Sequence, residues 1–411
     1  MTFDLENALH DDAAAMCRDL LEFVLSLSTA KVPGNTLREG EYYAGKRPKT
    51  IRTLSGDIRC KDRDYYYNPK KNTGRYPFDE ALGLINASTP ALVARALKCA
   101  VKDPYAEAAS DFESSMARHM SADILMTYPR ALEGLAEQFM GEALSPDKQT
   151  PACVCVLADG SGLPLRRSEL RRVKGKGVDG RAKTREAKVG AIFTTHPRPD
   201  APEERIRDTD STTYAATMER KHWFANCLRG EFDRRFIVPP KLTLFIGDGA
   251  PWLWSIRRTH FPFAVEILDF FHATEHLEPI LDLAQYKGGE KRRIFKKWRK
   301  WLKLGKVEEL IHVAKELVGK TKEGKKAIGY FEKNKSRMKY DEYIANGWFI
   351  GSGVVESACK TVVGKRFKQS GMLWSKKGLE ALLPFRVAYM SRRYEELWRY
   401  LIGGKKQVKI A

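Results

Sequence analysis

The sequence predicts an α/β chain in which a mixed sheet carries helices on its faces, preceded by a helical and hairpin region and followed by a long run of helix. Three observations carry that prediction. Between residues 151 and 276 short apolar runs alternate with amphipathic stretches, the pattern of a sheet with helices packed on it. From 277 to 345 helical periodicity runs on without a strand-like break. Ahead of both, the segment 50–60 has β-rich runs on either side of Ser55-Gly56-Asp57, which reads as a hairpin and its turn.

The elements divide the chain into six segments. Residues 1–35 read as a helix, with Leu5, Leu9, Leu20, Leu21, Val24 and Leu25 near helical spacing and Pro33-Gly34 as its stop. Residues 36–84 hold the hairpin and the tyrosine-rich Arg63-Asp-Tyr-Tyr-Tyr67. Residues 85–150 read as three short helices punctuated by Pro90, Pro104 and Pro129, consistent with a helix-turn-helix or with any small helical bundle. In 151–276, strands are expected at 153–158, 187–195, 212–216, 241–246 and 264–268, with helices at 219–236 and 251–259. Residues 277–345 are expected to be all helix, and 346–411 to contain one more helix at 353–368. Cys153 and Cys155 share one face of their strand and read as core.

Charge and cysteine content narrow the function. Lys plus Arg is 72 against 52 Asp plus Glu, a formal charge of +20, which favours a polyanionic partner such as nucleic acid. No apolar run is long enough for a membrane span, and the acidic start does not read as a signal peptide. The seven cysteines are scattered without a Cys-x-x-Cys pair, so neither a disulfide framework nor a cysteine zinc site is expected, and a reducing cytoplasm is the expected compartment.

Three acids stand out by position. Asp159 is expected at the end of the first strand of 151–276, Asp248 ends a later strand between two glycines, and Glu356 lies in the first turn of a helix opened by Gly351-Ser-Gly353. Neighbouring strands with a helix across them would bring the three carboxylates together, and such a set suits hard divalent cations, Mg²⁺ or Mn²⁺. A pair of these ions serves phosphodiester chemistry. Each acid alone also has a plain structural reading: Gly-Asp-Gly is a common turn, and a first-turn acid complements the helix dipole.

An ordered series of motifs then appears: Asp159-Gly-Ser-Gly-Leu-Pro164, Ala182-Lys-Thr-Arg-Glu-Ala-Lys188, Gly247-Asp-Gly-Ala-Pro-Trp-Leu-Trp254, Leu268-Asp-Phe-Phe-His-Ala-Thr-Glu-His-Leu277, Gly351-Ser-Gly-Val-Val-Glu-Ser-Ala-Cys-Lys360 and Arg366-Phe-Lys-Gln-Ser-Gly-Met-Leu-Trp374. The series resembles the DDE transposases of bacterial insertion sequences, the ISKra group related to Mutator-like transposases, over roughly residues 40 to 400. The resemblance implies an RNase H-like catalytic domain, with Asp159, Asp248 and Glu356 as catalytic and metal-binding acids. It implies that 277–345 is a helical insertion, and that His272 of Asp269-Phe-Phe-His272 stands near the active site as a further catalytic residue. In this group the tyrosine-rich segment is often followed by a zinc-ribbon-like cysteine pair. Here Asn68-Pro-Lys-Lys71 has no cysteine, so the segment is a degenerate one and no zinc is expected.

Three basic tracts are the expected DNA path. Residues 166–188 hold ten Lys/Arg against three acids and include Arg166, Arg167, Lys183, Arg185 and Lys188. Residues 287–306 hold ten against one and include Arg292, Arg293, Lys296 and Lys297, interleaved with Phe295, Trp298 and Trp301. Residues 360–377 hold six and no acid, including Lys360, Lys365, Arg366 and Lys368. A charge run by itself is a solvated face; beside a candidate phosphodiester site, backbone contact is the stronger reading. The expectation is therefore a metal-dependent transposase acting on double-stranded DNA, the ends of its own element and a target. It would work as a dimer or higher oligomer on DNA, in the bacterial cytoplasm at the nucleoid. The alternatives are an RNase H-like nuclease with hydrolysis only, and a DNA-binding regulatory or architectural descendant of a transposase.

Overall fold

The computed structural model describes residues 2–28, 36–142, 153–171, 184–236 and 238–404. The chain divides into two compact units, Met1–Ala136 with Arg393–Ala411, and Glu137–Arg392.

In the first unit, helix α1 (Thr2–Ser28) sets Leu21 and Leu25 against Ile51, Ile58 and Phe78. Pro33-Gly34, read as its stop, lies outside the described residues. Strand β1 (Tyr42–Lys46) precedes the hairpin of β2 (Lys49–Thr53) and β3 (Gly56–Cys60), which pairs Thr53 with Gly56. Its loop is therefore Leu54-Ser55, one residue earlier than the sequence suggests; Gly56, at φ +139°, already belongs to the strand. Strands β4 (Asp64–Asn68) and β5 (Thr73–Arg75) join β1 in an antiparallel sheet of order β1–β4–β5, and α2 (Pro77–Ala81) follows. Packing holds this sheet. Tyr42 and Tyr43 meet Tyr67 and Tyr66 edge to face at 5.8 and 5.7 Å, and the guanidinium of Arg63 lies over the Tyr76 ring at 3.5 Å.

Helices α3 (Pro90–Ala100), α4 (Tyr105–Met116), α5 (Ala122–Ala131) and α6 (Glu133–Gly141) come next, four where the sequence suggests three. Proline at the first position opens α3, and the Ser121 hydroxyl caps α5 by accepting from the Ile124 N–H at 3.3 Å. Helices α3, α4 and α5 pack on one another through Leu92, Val93, Ala96, Phe112 and Leu125.

The second unit is built on one mixed sheet. Strand β6 (Cys153–Pro164) pairs antiparallel with β7 (Thr184–Arg198) along its whole length. The other edge of β7 is shared by β8 (Ala201–Arg207) and β9 (Thr213–Thr217). Helix α7 (Lys221–Asp233) leads to β10 (Leu242–Gly247), parallel to β6, and α8 (Pro251–His260) leads to β11 (Val265–Leu268), parallel to β10. Every residue from Cys153 to Ala158 is buried, as expected of a strand covered on both faces, and this places Cys153 and Cys155 in the core. Helix α7 packs on β7 and β9, and the Arg235 side chain just beyond it donates to the Ile192 carbonyl at 2.9 Å.

From β11 the chain enters α9 (Phe270–Glu275), α10 (Leu277–Leu283), α11 (Gly288–Lys303), α12 (Val307–Val318), α13 (Lys322–Asn334) and α14 (Tyr340–Ala345). It returns to the sheet with α15 (Gly353–Ala358), a π-helical turn at Cys359–Gly364, α16 (Lys365–Phe367) and α17 (Lys376–Met390). Helix α15 lies against β6 and β7. Helix α18 (Tyr394–Gly404) belongs to the first unit, where the Tyr394 hydroxyl donates to the Ala94 carbonyl at 2.6 Å. Among the described residues no helix is long and apolar enough to cross a membrane.

Candidate active site at the strand ends

Asp159 does not end its strand. β6 pairs with β10 as far as Leu157, then continues against β7 alone, with Asp159 opposite Val189. The sequence places the strand's end at Asp159, but β7 is long enough to keep Asp159-Gly-Ser-Gly162 extended, so the acid emerges where β10 has already stopped. One carboxylate oxygen of Asp159 accepts from the Gly160 N–H at 2.6 Å, and the other lies 3.8 Å from the Cys359 thiol, which donates to it.

Asp248 follows β10 directly. Its Oδ1 accepts from the Ala250 N–H at 2.9 Å, an Asx turn leading into α8. Its backbone carbonyl accepts from the Tyr330 hydroxyl at 3.0 Å. Gly249 is required here: its φ is +98°, and a Cβ would stand 3.1 Å from Leu268 and 3.2 Å from Tyr330. Glu356, an exposed residue of α15, accepts from the Ser352 hydroxyl at 3.3 Å.

Asp269 joins these parts. It is fully buried and caps α9 by accepting from the His272 N–H, while its second oxygen accepts from the Ser352 N–H at the start of the Glu356 helix. The Phe270 N–H donates to the Ile350 carbonyl at 2.8 Å beside it. One side chain thus ties the end of β11 to the helix that bears Glu356. The helical stretch is tied to the same edge: Tyr340 donates to the Leu268 carbonyl at 3.0 Å, and Arg337 pairs with Glu266.

The carboxylates share one field. Burial pushes the Asp159 carboxyl above its ordinary pKa, and the charges of Asp248 and Glu356 push it further. Burial likewise raises Asp269, the bonds from His272 and Ser352 oppose it, and the charge of Glu356 adds to the rise. Burial and the Asp159 charge drive the Cys359 thiol up to about 12, so it stays protonated and able to donate. Hard oxygen donors that repel one another suit a divalent cation. Among the described residues, however, no three His, Cys, Asp or Glu side chains are drawn together into a metal-holding group. A shared field is present; a closed ligand cage is not.

His272 is half-exposed, with Nδ1 3.4 Å from Glu275 and its ring beside that of His276. His276 sits closer to the Asp248 loop: its ring stacks on Tyr330 at 3.6 Å, and burial followed by the His272 charge lowers its pKa.

The basic residues sort by exposure. Arg166 and Arg167 are exposed just after β6, and Arg292, Arg293, Lys296 and Lys297 are exposed along α11, whose opposite face buries Trp298 and Leu302. Lys297 lies over the half-exposed Trp301 ring at 4.8 Å. Lys360, Lys365 and Lys368 are exposed, and Lys368 donates to the Ser161 hydroxyl at 2.8 Å. Lys188 is mostly enclosed, 3.8 Å from Glu186, and Arg185 is half-buried. Lys183 lies outside the described residues. Arg366 does not belong with these exposed basic residues. It is fully buried, with its guanidinium 5.1 Å from the Trp374 ring and 5.6 Å from that of Phe367, so it serves the core.

Sequence reasoning names the Asp-x-x-His motif for its histidine and misses the part played by Asp269. An aspartate three residues ahead of a helical N–H is an N-cap signal, and that much was readable. Its bond to Ser352, 83 residues away, was not. No protein-family model matches the chain, and no curated protein matches it in sequence.

Proposed function

We propose that this chain is a DDE-type transposase that cuts phosphodiester bonds at the ends of a DNA element and joins the freed ends to a target. The observation that carries the reading is the set Asp159, Asp248 and Glu356, supplied by a strand, a strand end and a helix, and sharing one electrostatic field at one edge of a mixed sheet. The order β9–β7–β6–β10–β11, antiparallel through the first three strands and parallel through the last two, supports an RNase H-like core. On that core, α10–α14 fall between the last strand and the glutamate helix, as an insertion would.

In this reading Asp159, Asp248 and Glu356 would hold divalent cations, Mg²⁺ or Mn²⁺, which when bound activate the attacking oxygen and stabilise the leaving one. The chain's own residues do the rest. Asp269 sets the start of the Glu356 helix, the Asx turn of Asp248 fixes its carboxylate at the head of α8, and the Cys359 thiol orients Asp159. Lys368, held at Ser161 two residues from Asp159, and Lys360, one turn beyond Glu356, bring positive charge for a phosphate backbone to the same edge. The exposed basic face of α11 extends that path. Nucleolytic and strand-transfer readings share this geometry, so the assay must score joining as well as cutting. The test is Mg²⁺-dependent cleavage and joining of DNA bearing the element's ends. Wild type should give joined products and Asp248→Asn should give none. Equal joining by both would sink the proposal.

A further inference from the structure

Next to the Asp248 loop, α8, α10 and α13 form an open cavity of about 830 Å³, lined in part by Gly249, Trp254 and Tyr330. Its size falls in the range of small-ligand sites. Three features of its lining point the same way. The first is aromatic: Trp254 from α8 and Tyr330 from α13 contribute rings, and His276 stacks on the latter. Trp254 is 4% exposed and carries the Arg337 guanidinium 4.4 Å over its ring, so it backs the wall, and Tyr330 is the ring that faces the space.

The second feature is charge. Arg258, Lys326 and Lys333 all line the cavity, and their side chains hold no ion pair or hydrogen bond among the described residues. Lys326 and Lys333 are seven residues apart, two turns along one face of α13, with Tyr330 between them. The only acid in the described lining is Glu323.

The third is a glycine without a structural reason. Gly329 lies in the interior of α13, where glycine is unfavourable relative to alanine, and a Cβ there would meet nothing within 4 Å. No neighbour requires the missing side chain. It lines the cavity, and a larger residue would occupy that space.

A partly exposed aromatic ring and unpaired cations along the same helix face select a ligand that has a planar part and carries negative charge. We propose that this cavity binds a nucleotide, its base against Tyr330 and its phosphate on Lys326, Lys333 and Arg258. The assignment is read from the lining and does not depend on the cutting reaction. Because Tyr330 donates to the Asp248 carbonyl, a bound nucleotide rests against the loop that carries that acid. The same chemistry is offered by a free mononucleotide and by an unpaired nucleotide at the end of a DNA strand.

The test is binding of 2-aminopurine nucleotides to the full chain in chelator-treated buffer without divalent cation, so that failure of cleavage cannot affect it. One arm uses free 2-aminopurine deoxynucleoside monophosphate, and the other a duplex whose single-stranded end carries 2-aminopurine. Saturable quenching of either probe is expected for wild type and for Gly329→Ala. A response in the first arm alone identifies a free nucleotide as the ligand, and in the second alone a strand-borne one. Gly329→Phe, which places a ring beside Tyr330 in the space the base would take, should weaken the quenching about tenfold or more. The double variant Lys326→Ala/Lys333→Ala, on an exposed helix face, should bind about tenfold more weakly or worse. If Gly329→Phe fails to fold, the lysine pair decides alone. Quenching of neither probe by wild type, or undiminished binding by a folded Gly329→Phe and by the lysine pair, would overturn the assignment.

Discussion

The tyrosine-rich sheet of the first unit and the strand ends of the second both enclose charge, and they treat it in opposite ways. In the first unit Arg63 meets Asp79 at 2.6 Å and Arg75 meets Glu41 at 2.8 Å, each arginine nearly buried beside its acid. The Arg75 hydrogen bond holds Glu41 below the ordinary carboxylate pKa. At the strand ends, Asp159 is half-buried among carboxylates, and both burial and the charges of Asp248 and Glu356 raise its pKa. Removing one partner of a buried opposite pair strands the other charge and costs stability, whereas removing one of several clustered like charges relieves repulsion that persists where a site needs it. Removing a charge should therefore move stability in opposite directions in the two regions.

The largest effect is expected at Arg63. Arg63→Ala leaves Asp79 without its partner and should cost about 3 kcal/mol in chemical unfolding of the full chain. A loss no larger than that of an exposed pair would break the contrast from the structural side. Asp269→Ala comes next. It removes a helix cap and strands the Ser352 N–H, an expected loss of about 2 kcal/mol. Because it frees the Glu356 helix, the proposed DNA cleavage should also fall by about 10–100-fold if Glu356 holds a metal, the range for residues that orient metal ligands. A stability loss with unchanged cleavage would show that Asp269 serves the fold alone.

Asp159→Asn should do the reverse of Arg63→Ala and raise the melting temperature. The sign follows from linkage. The folded pKa of Asp159 is raised, so its favourable contribution is complete below the unfolded carboxylate pKa and is lost as pH rises through the folded value. The advantage of Asp159→Asn over wild type should accordingly widen from acidic to neutral pH. Glu41 runs the other way: its folded pKa is lowered, so its contribution is present above the unfolded value and lost as pH falls through the folded one. A parallel pH dependence for Asp159→Asn and Glu41→Gln would erase the distinction.

The smallest effect on stability is expected on α11. Lys296→Glu/Lys297→Glu alters two exposed side chains and should change unfolding by no more than about 0.5 kcal/mol. It should weaken DNA binding and flatten its salt dependence. An unchanged salt slope would remove this helix from the DNA path.

Much of the sheet was legible because its central strands are buried on both faces and therefore read as short apolar runs. β7, β9, β10 and β11 fall close to where their sequences put them. β8 was not legible, since Ala-Pro-Glu-Glu-Arg-Ile-Arg is a polar strand on the sheet edge. The continuation of β6 through Asp159 was hidden for a related reason: local turn propensity is overridden by pairing with β7. Helix α17 contains Pro384, which obscures its periodicity. At the candidate site, the three acids could be proposed from their positions on strand, strand and helix. Contacts between residues far apart in the chain were out of reach. Cys359 meets Asp159 across 200 residues, and Tyr330 meets Asp248 across 82. Arg366 misled because a basic tract reads as surface, and only the aromatic rings folded around it reveal that it is core.

The most direct test is a Mn²⁺ titration followed by thermal unfolding, with wild type beside Asp159→Asn. If the strand-end carboxylates are a cation site, the wild-type melting temperature should climb with Mn²⁺ by mass action. Asp159→Asn should begin higher and stay flat. An equal climb for both proteins, or none for wild type, would contradict the claim that these acids are gathered to hold a metal.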